Sequence, residues 1–296
     1  MPALTSAQIE SQVCVHNILF ATDFTHASQK AFRYAKAFTR HFQATLMPAH
    51  VLRASAQDWP RFGADPEYKK LWHETKRELD ALCRQLRQAG FQANSILLEG
   101  DPVERILEAA KSHKADLLVL GTHGAKDLER LFLGSTAEAI LRAAPCPVLT
   151  VGPNVHSPHG ELLLQKVLLA TDFSPEAAAA APYAFSLATE QASHVSVCHV
   201  LPEGHTKTMD SAQLQTKFMQ AMNHWIPEGS RKNRTTEYVV EYGNAADEIL
   251  KLAKEQHADL IVLGVHSSSV LTTHLLPGVA FRIIASASCP VLTVRK

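Results

Sequence analysis

The chain carries no excess charge of either sign. Lys and Arg number 29 and Asp and Glu number 29 in 296 residues. No overall basic field therefore recruits nucleic acid or an anionic membrane, and any anion site has to be local. Cysteine is scarce: the five residues (Cys14, Cys83, Cys146, Cys198, Cys289) are an odd set without a C-x-x-C pair. That argues against a disulfide framework and a cysteine zinc site, and suits a reducing cytoplasm. No apolar run approaches the ~20 residues that span a bilayer. Met1 to Val15 has neither the basic nor the apolar region of a signal peptide. The expectation is a soluble, cytoplasmic protein. Two phosphate motifs are also missing, G-x4-G-K-[ST] and a G-x-G-x-x-G after the first strand, which disfavours a P-loop enzyme and a dinucleotide dehydrogenase. What is left, 46% hydrophobic and 20% charged, is an ordinary globular chain long enough for one large or two medium domains.

The chain is written twice. Asn17-Ile18-Leu19-Phe20-Ala21-Thr22-Asp23-Phe24-Thr25 matches Lys166-Val167-Leu168-Leu169-Ala170-Thr171-Asp172-Phe173-Ser174 at an offset of 149, which also relates His50-Val51 to His199-Val200. Farther on the offset is 143. It aligns Ala115-Asp116-Leu117 with Ala258-Asp259-Leu260, and Cys146-Pro147-Val148-Leu149-Thr150-Val151 with Cys289-Pro290-Val291-Leu292-Thr293-Val294. The repeat gives two tandem domains, residues 1–152 and 165–296, joined by a breaker-rich linker at 153–164.

Each copy alternates strand and helix. In the first, Asn17–Thr22 reads as a strand and His26–Phe42 as a helix with an Ala31, Tyr34, Ala35, Phe38 face. Gln43–Val51 is a strand, Pro66 to Ala89 a helix stopped by Gly90, and Gln92–Leu98 a third strand. Asp101 caps a helix with Pro102 at its first position. Asp116–Leu120, a helix from Ser135, and Val148–Val151 complete the copy. Short continuous apolar strands between helices predict an α/β fold, a parallel sheet covered on both faces.

In such sheets ligands collect at the strands' C-terminal ends, where strand order reverses. Thr22-Asp23, His50-Val51 and the loop after the fourth strand all end there. That loop reads Gly121-Thr122-His123-Gly124, nine residues, then Gly134-Ser135-Thr136. Strand, glycine loop and helix start are the arrangement that turns backbone N–H groups and a helix dipole on a phosphate. Asp23, an acceptor when ionised, suits a ribose hydroxyl or an amino group. The expectation is a nucleotide site, with sugar and base toward the first two strands and phosphates toward the fourth.

The G-x2-G-x9-G-[ST] pattern, with T-D-F-[ST] early and C-P-V-L-x-V at the close, resembles the universal stress protein superfamily, specifically its tandem-domain members. The likeness covers about Val15 to Val294. It implies two Rossmann-like domains (adenine nucleotide alpha hydrolase-like), each a five-stranded parallel sheet of order 3-2-1-4-5. It implies ATP or AMP as ligand, accompanied by Mg, and a role in stress adaptation without defined catalytic turnover. The nucleotide contacts it implies are Ala21, Thr22, Asp23, Val51, Gly121, His123, Gly124, Gly134, Ser135 and Thr136. It further implies that the closing strands Val148–Val151 and Val291–Val294 pair, so that the chain is its own pseudo-dimer. A homodimer beyond that stays open.

The second copy departs from the pattern. Gly264 matches Gly121, but Ser267 replaces Gly124, Pro277 replaces Gly134 and Gly278 stands where Ser135 stood, while Asp172 remains. Weak or absent nucleotide binding is expected there. The plainer readings also stand: Asp23 and Asp172 as helix caps, Cys146 and Cys289 as core thiols, Lys126 and Arg130 on a solvated helix face. The repeated His50, His123, His199 and His266 have no carboxylate or cysteine spacing to make a metal site. A weak ATPase or nucleotide-transferring enzyme of related fold, and a nucleotide-free interaction module, are the competing functions.

Overall fold

The structure, a computed structural model, describes residues 13–53, 65–122, 133–156, 164–188, 193–203, 211–226, 235–266 and 278–295. Apart from its first thirteen residues the chain forms two compact units, Cys14–Pro153 and Asn154–Lys296.

The first unit runs β1 (Asn17–Ala21), α1 (His26–Phe42), β2 (Thr45–Arg53), α2 (Pro66–Gln88), β3 (Gln92–Ala93), β4 (Ile96–Gly100), α3 (Pro102–Ser112), β5 (Leu117–Gly121), α4 (Ser135–Ala143) and β6 (Val148–Val151). The strands pair in parallel in the order β3/β4, β2, β1, β5, β6. That is the 3-2-1-4-5 order with one difference: the single third strand expected at Gln92–Leu98 is two, interrupted at Asn94 and Ser95. Ser95 is drawn to α2, where its hydroxyl donates to Asp80 and accepts from Lys76 at 3.0 Å. Ile18, Leu19 and Phe20 of β1 and Leu117 to Leu120 of β5 are buried, as central parallel strands require. α3 and α4 pack together, and the right-handed crossover rule for parallel strands sets them on the face opposite α1 and α2. Strand order reverses between β1 and β5.

Side-chain caps fix where the helices begin. Asp101 accepts from the N–H groups of Val103 (2.9 Å) and Glu104 (3.1 Å) ahead of α3. Gly90, at φ +86°, takes the left-handed turn that ends α2. The repeated Ala-Asp pair also has a structural task. Asp116 Oδ2 accepts from His16 N–H (2.8 Å) and Asn17 N–H (2.9 Å), fastening the start of β1 beside β5.

The second unit runs β7 (Lys166–Ala170), α5 (Pro175–Leu187), β8 (His194–Leu201), α6 (Ser211–Trp225), β9 (Thr235–Tyr242), α7 (Ala245–Glu255), β10 (Leu260–Gly264), α8 (Val279–Ser286) and β11 (Val291–Val294). Its parallel order, β9-β8-β7-β10-β11, repeats 3-2-1-4-5 with an unbroken third strand. Asp259 repeats Asp116, accepting from Gln165 N–H (2.9 Å) and Lys166 N–H (2.8 Å). Asn244 repeats Asp101 as the cap of α7. Ala177, Ala180 and Ala181 of the alanine run are buried, so their small size is a packing requirement. No helix among the described residues is long and apolar enough to cross a membrane.

Candidate functional site

The T-D-F-[ST] segment makes the turn from the first strand of each unit into its first helix. Thr22 Oγ1 accepts from Phe24 N–H at 3.1 Å, Asp23 Oδ1 accepts from Thr25 N–H at 3.0 Å, and Thr25 caps α1 by accepting from Ser28 N–H. The second unit repeats each bond: Phe173 N–H to Thr171 at 2.9 Å, Ser174 N–H to Asp172 at 2.9 Å, and Ser174 capping α5. Phe24 and Phe173 sit at φ +61° and +63°, an unfavourable region for an aromatic residue that these paired bonds hold in place. The aspartates therefore brace the turn rather than cap the helix; the caps are Thr25 and Ser174. Asp23 Oδ2 takes no hydrogen bond among the described residues. Partial burial pushes the Asp172 carboxyl up, but the Ser174 hydroxyl and N–H, its own backbone and nearby His266 outweigh this and hold it below the usual 3.8.

His50 and His199 are duplicated too. Each turns Nδ1 to the threonine carbonyl of its unit, at 2.8 Å to Thr22 O and 2.7 Å to Thr171 O, and each stacks its ring near the following phenylalanine. Tying the strand-2 end to the strand-1 end explains their recurrence. Among the described residues no group of three His, Cys, Asp or Glu side chains is placed to hold a metal ion.

The two glycines that end β5 and β10 serve packing. A Cβ on Gly121 would lie 2.9 Å from the backbone C and O of Ala27, and one on Gly264 would lie 2.3 Å from Ala177 N. The first turn of α1 thus packs directly against Gly121. Buried Thr122 continues the strand, its N–H donating to Val151 O at 3.2 Å. Gly134 N–H donates to Thr122 O at 2.8 Å, which draws the start of α4 to the end of β5 and uses that amide internally.

At this point the first unit opens a cleft of about 490 Å³, within the usual range for small-molecule sites. Its walls bring together Ala21, Thr22 and Asp23 after β1, His50, Val51 and Arg53 of β2, and Gly121, Gly134, Ser135 and Thr136. Eight of the ten residues expected from the sequence share this one cleft; His123 and Gly124 lie outside the described residues. Ala49, Leu120, Ala137, Ile106 and Ile140 supply an apolar lining. Gly134 offers no side-chain cap to α4, so the N–H groups of Ser135, Thr136 and Ala137 have no helical acceptor and no other partner among the described residues. Arg53 is the residue the sequence reading missed. Its Nη2 lies 3.5 Å from Thr136 Oγ1, and it is the one cation among the described lining residues.

The corresponding places in the second unit hold different chemistry. Pro202 stands for Arg53, Gly278 and Val279 for Ser135 and Thr136, and Glu176 for Ala27. The α8 helix starts at Val279 behind Gly278, one residue later than the repeat predicts. Glu176 pairs with His266 at 2.9 Å. Near the end of β8, Phe218 from α6 packs against Phe173 (5.1 Å between centroids) and Tyr238 (5.7 Å). Ser267 and Pro277 lie outside the described residues.

These features define a duplicated, doubly wound α/β protein with a cleft at the switch point of its first unit. A sequence profile of the universal stress protein family matches residues 15–152 and again 164–295, and the chain belongs to that family. It is 25% identical to a universal stress protein of Mycolicibacterium smegmatis over 296 residues, spanning 95% of this chain and 97% of that one. A universal stress protein of Methanocaldococcus jannaschii is 34% identical over 136 residues, 45% of this chain and 80% of the relative. Among solved structures, a universal stress protein from Archaeoglobus fulgidus superposes with a TM-score of 0.72 at 22% identity, covering 94% of this chain and 98% of that one.

Proposed function

We propose that the first domain, residues 1–152, binds an adenine nucleotide, ATP or AMP, and that occupancy regulates a cytoplasmic stress-adaptation role. The carrying observation is the cleft itself: an uncapped helix N-terminus and Arg53 for phosphate, with Asp23 for ribose or amino group. Ala21, Thr22, Val51, Gly134, Ser135 and Thr136 line the same space, and His123 and Gly124 of the intervening loop complete the proposed contacts. Mg would enter on the nucleotide's phosphates, since hard, hydrated Mg commonly binds through substrate phosphates. No side chain is assigned a catalytic role. The second domain, residues 165–296 beyond the 153–164 linker, serves as a structural partner, with Val148–Val151 and Val291–Val294 pairing to make a pseudo-dimer.

Mass spectrometry of the co-purifying small molecules, followed by calorimetric titration of the stripped protein, tests the reading. An adenine nucleotide and about one site per chain are expected. Two equivalent ATP sites would overturn the asymmetry. No nucleotide together with no thermal shift on adding ATP would overturn the site and favour an interaction module. Turnover clearly above background and lost in Asp23→Ala would replace the regulatory reading by an enzymatic one.

A further inference from the structure

Three of the changes that separate the two units fall at one spot. Arg53 becomes Pro202, Ser135 becomes Gly278 and Thr136 becomes Val279, while the surrounding turn, histidine and glycine contacts are kept. A guanidinium and two hydroxyls are therefore lost together, and none of them serves the shared frame.

Arg53 ends β2, opposite Gly100 of β4, and is exposed. Its Nη2 reaches the first turn of α4 at Thr136 Oγ1, but 3.5 Å to a neutral hydroxyl is a weak contact that fixes little. The same turn presents the N–H groups of Ser135, Thr136 and Ala137 to the cleft. Three amides suit one phosphate, and a planar guanidinium beside them suits oxygens of the next one, which it can take by two parallel N–H···O bonds. We infer that Arg53 reads the phosphate tail: on binding, its guanidinium moves from Thr136 to the terminal phosphate of a nucleoside di- or triphosphate and makes these ligands preferred over the monophosphate and the nucleoside. This rests on the nucleotide reading of the cleft.

The test titrates the full-length wild type, Arg53→Ala and Arg53→Lys with adenosine, AMP, ADP and ATP by calorimetry, alongside the ligand-free thermal midpoint. Wild type should bind ATP and ADP more tightly than AMP. Arg53→Ala should lose about tenfold or more on ATP and ADP and keep adenosine affinity and the thermal midpoint. Arg53→Lys should recover part of the loss, keeping charge without the fork. Equal losses for adenosine and ATP would show that Arg53 only shapes the cleft, and unchanged affinities would remove it from the site; both outcomes overturn the inference and leave the nucleotide reading intact. Wild type that binds none of the four ligands overturns both.

Discussion

The two units keep the same frame and differ where a ligand would touch it. Both make the same threonine and aspartate turn with a left-handed phenylalanine, the same histidine tie, the same aspartate clip on the first strand and the same packing glycine. Among the described residues, only the first sets an arginine and two hydroxyls around an uncapped helix start. The difference shows that much of a binding motif can be folding machinery. A degraded copy can keep its glycine, aspartate and histidine because the fold needs them, so their survival in the second unit says nothing about binding there.

The strongest way to break the comparison is to attack the shared frame. Gly264→Ala should cost about 3 kcal/mol and Gly121→Ala about 2 kcal/mol, because each Cβ meets helix backbone that cannot rotate away and the approach is closer at Gly264. Urea titrations with a fluorescence or circular dichroism readout measure this. A neutral substitution at either glycine would remove it from the common frame.

Next in size is the asymmetry of the aspartates. Asp23→Ala should weaken ATP binding roughly tenfold to hundredfold, the worth of a hydrogen bond to a charged group. Asp172→Ala should leave binding unchanged. Both should lose similar, small stability, since each carboxylate braces the same turn. Equal effects on binding would make the units equivalent. Smaller again, Thr25→Ala and Ser174→Ala should each cost about 1 kcal/mol through the lost cap, with matching shifts in urea midpoint.

The smallest effect is one of pH. The Asp172 carboxyl lies below its usual 3.8 in the folded chain, so its contribution is present above that value and is lost as pH falls through the folded value. The group is exposed and solvent-screened, so the contribution is under about 1 kcal/mol. The stability gap between wild type and Asp172→Asn, read from urea midpoints at pH 7 and pH 3, should therefore narrow at the lower pH.

Most of the frame is legible in the sequence because it is local or periodic. The apolar runs mark the strands, Asp101 and Asn244 announce their helices, and the internal repeat fixes two like units. The broken third strand is not legible, since it depends on Ser95 meeting Asp80 across a helix and a turn. The cleft's composition was largely readable from T-D-F, His-Val and Gly-Ser-Thr, each at a strand end or helix start. One of its parts was missed and another has a second task. Gly121 lines the cleft, yet the atoms that a Cβ there would meet belong to Ala27, far away in the chain. Arg53 is a lone arginine at the end of a strand, which no spacing rule distinguishes from a solvated one.

The buried thiols give the halves separate reporters. Cys83 and Cys146 are enclosed in the first unit and Cys198 and Cys289 in the second, while Cys14 is exposed. Burial raises Cys146, Cys198 and Cys289 to about 12, so the closed protein offers almost no thiolate there at neutral pH. An alkylating reagent reaches them only when the surrounding unit opens. The rate at which each cysteine is labelled, set against Cys14 as internal reference, then measures the opening of one half independently of the other. Repeating the measurement with nucleotide present would show how far its protection extends along the chain.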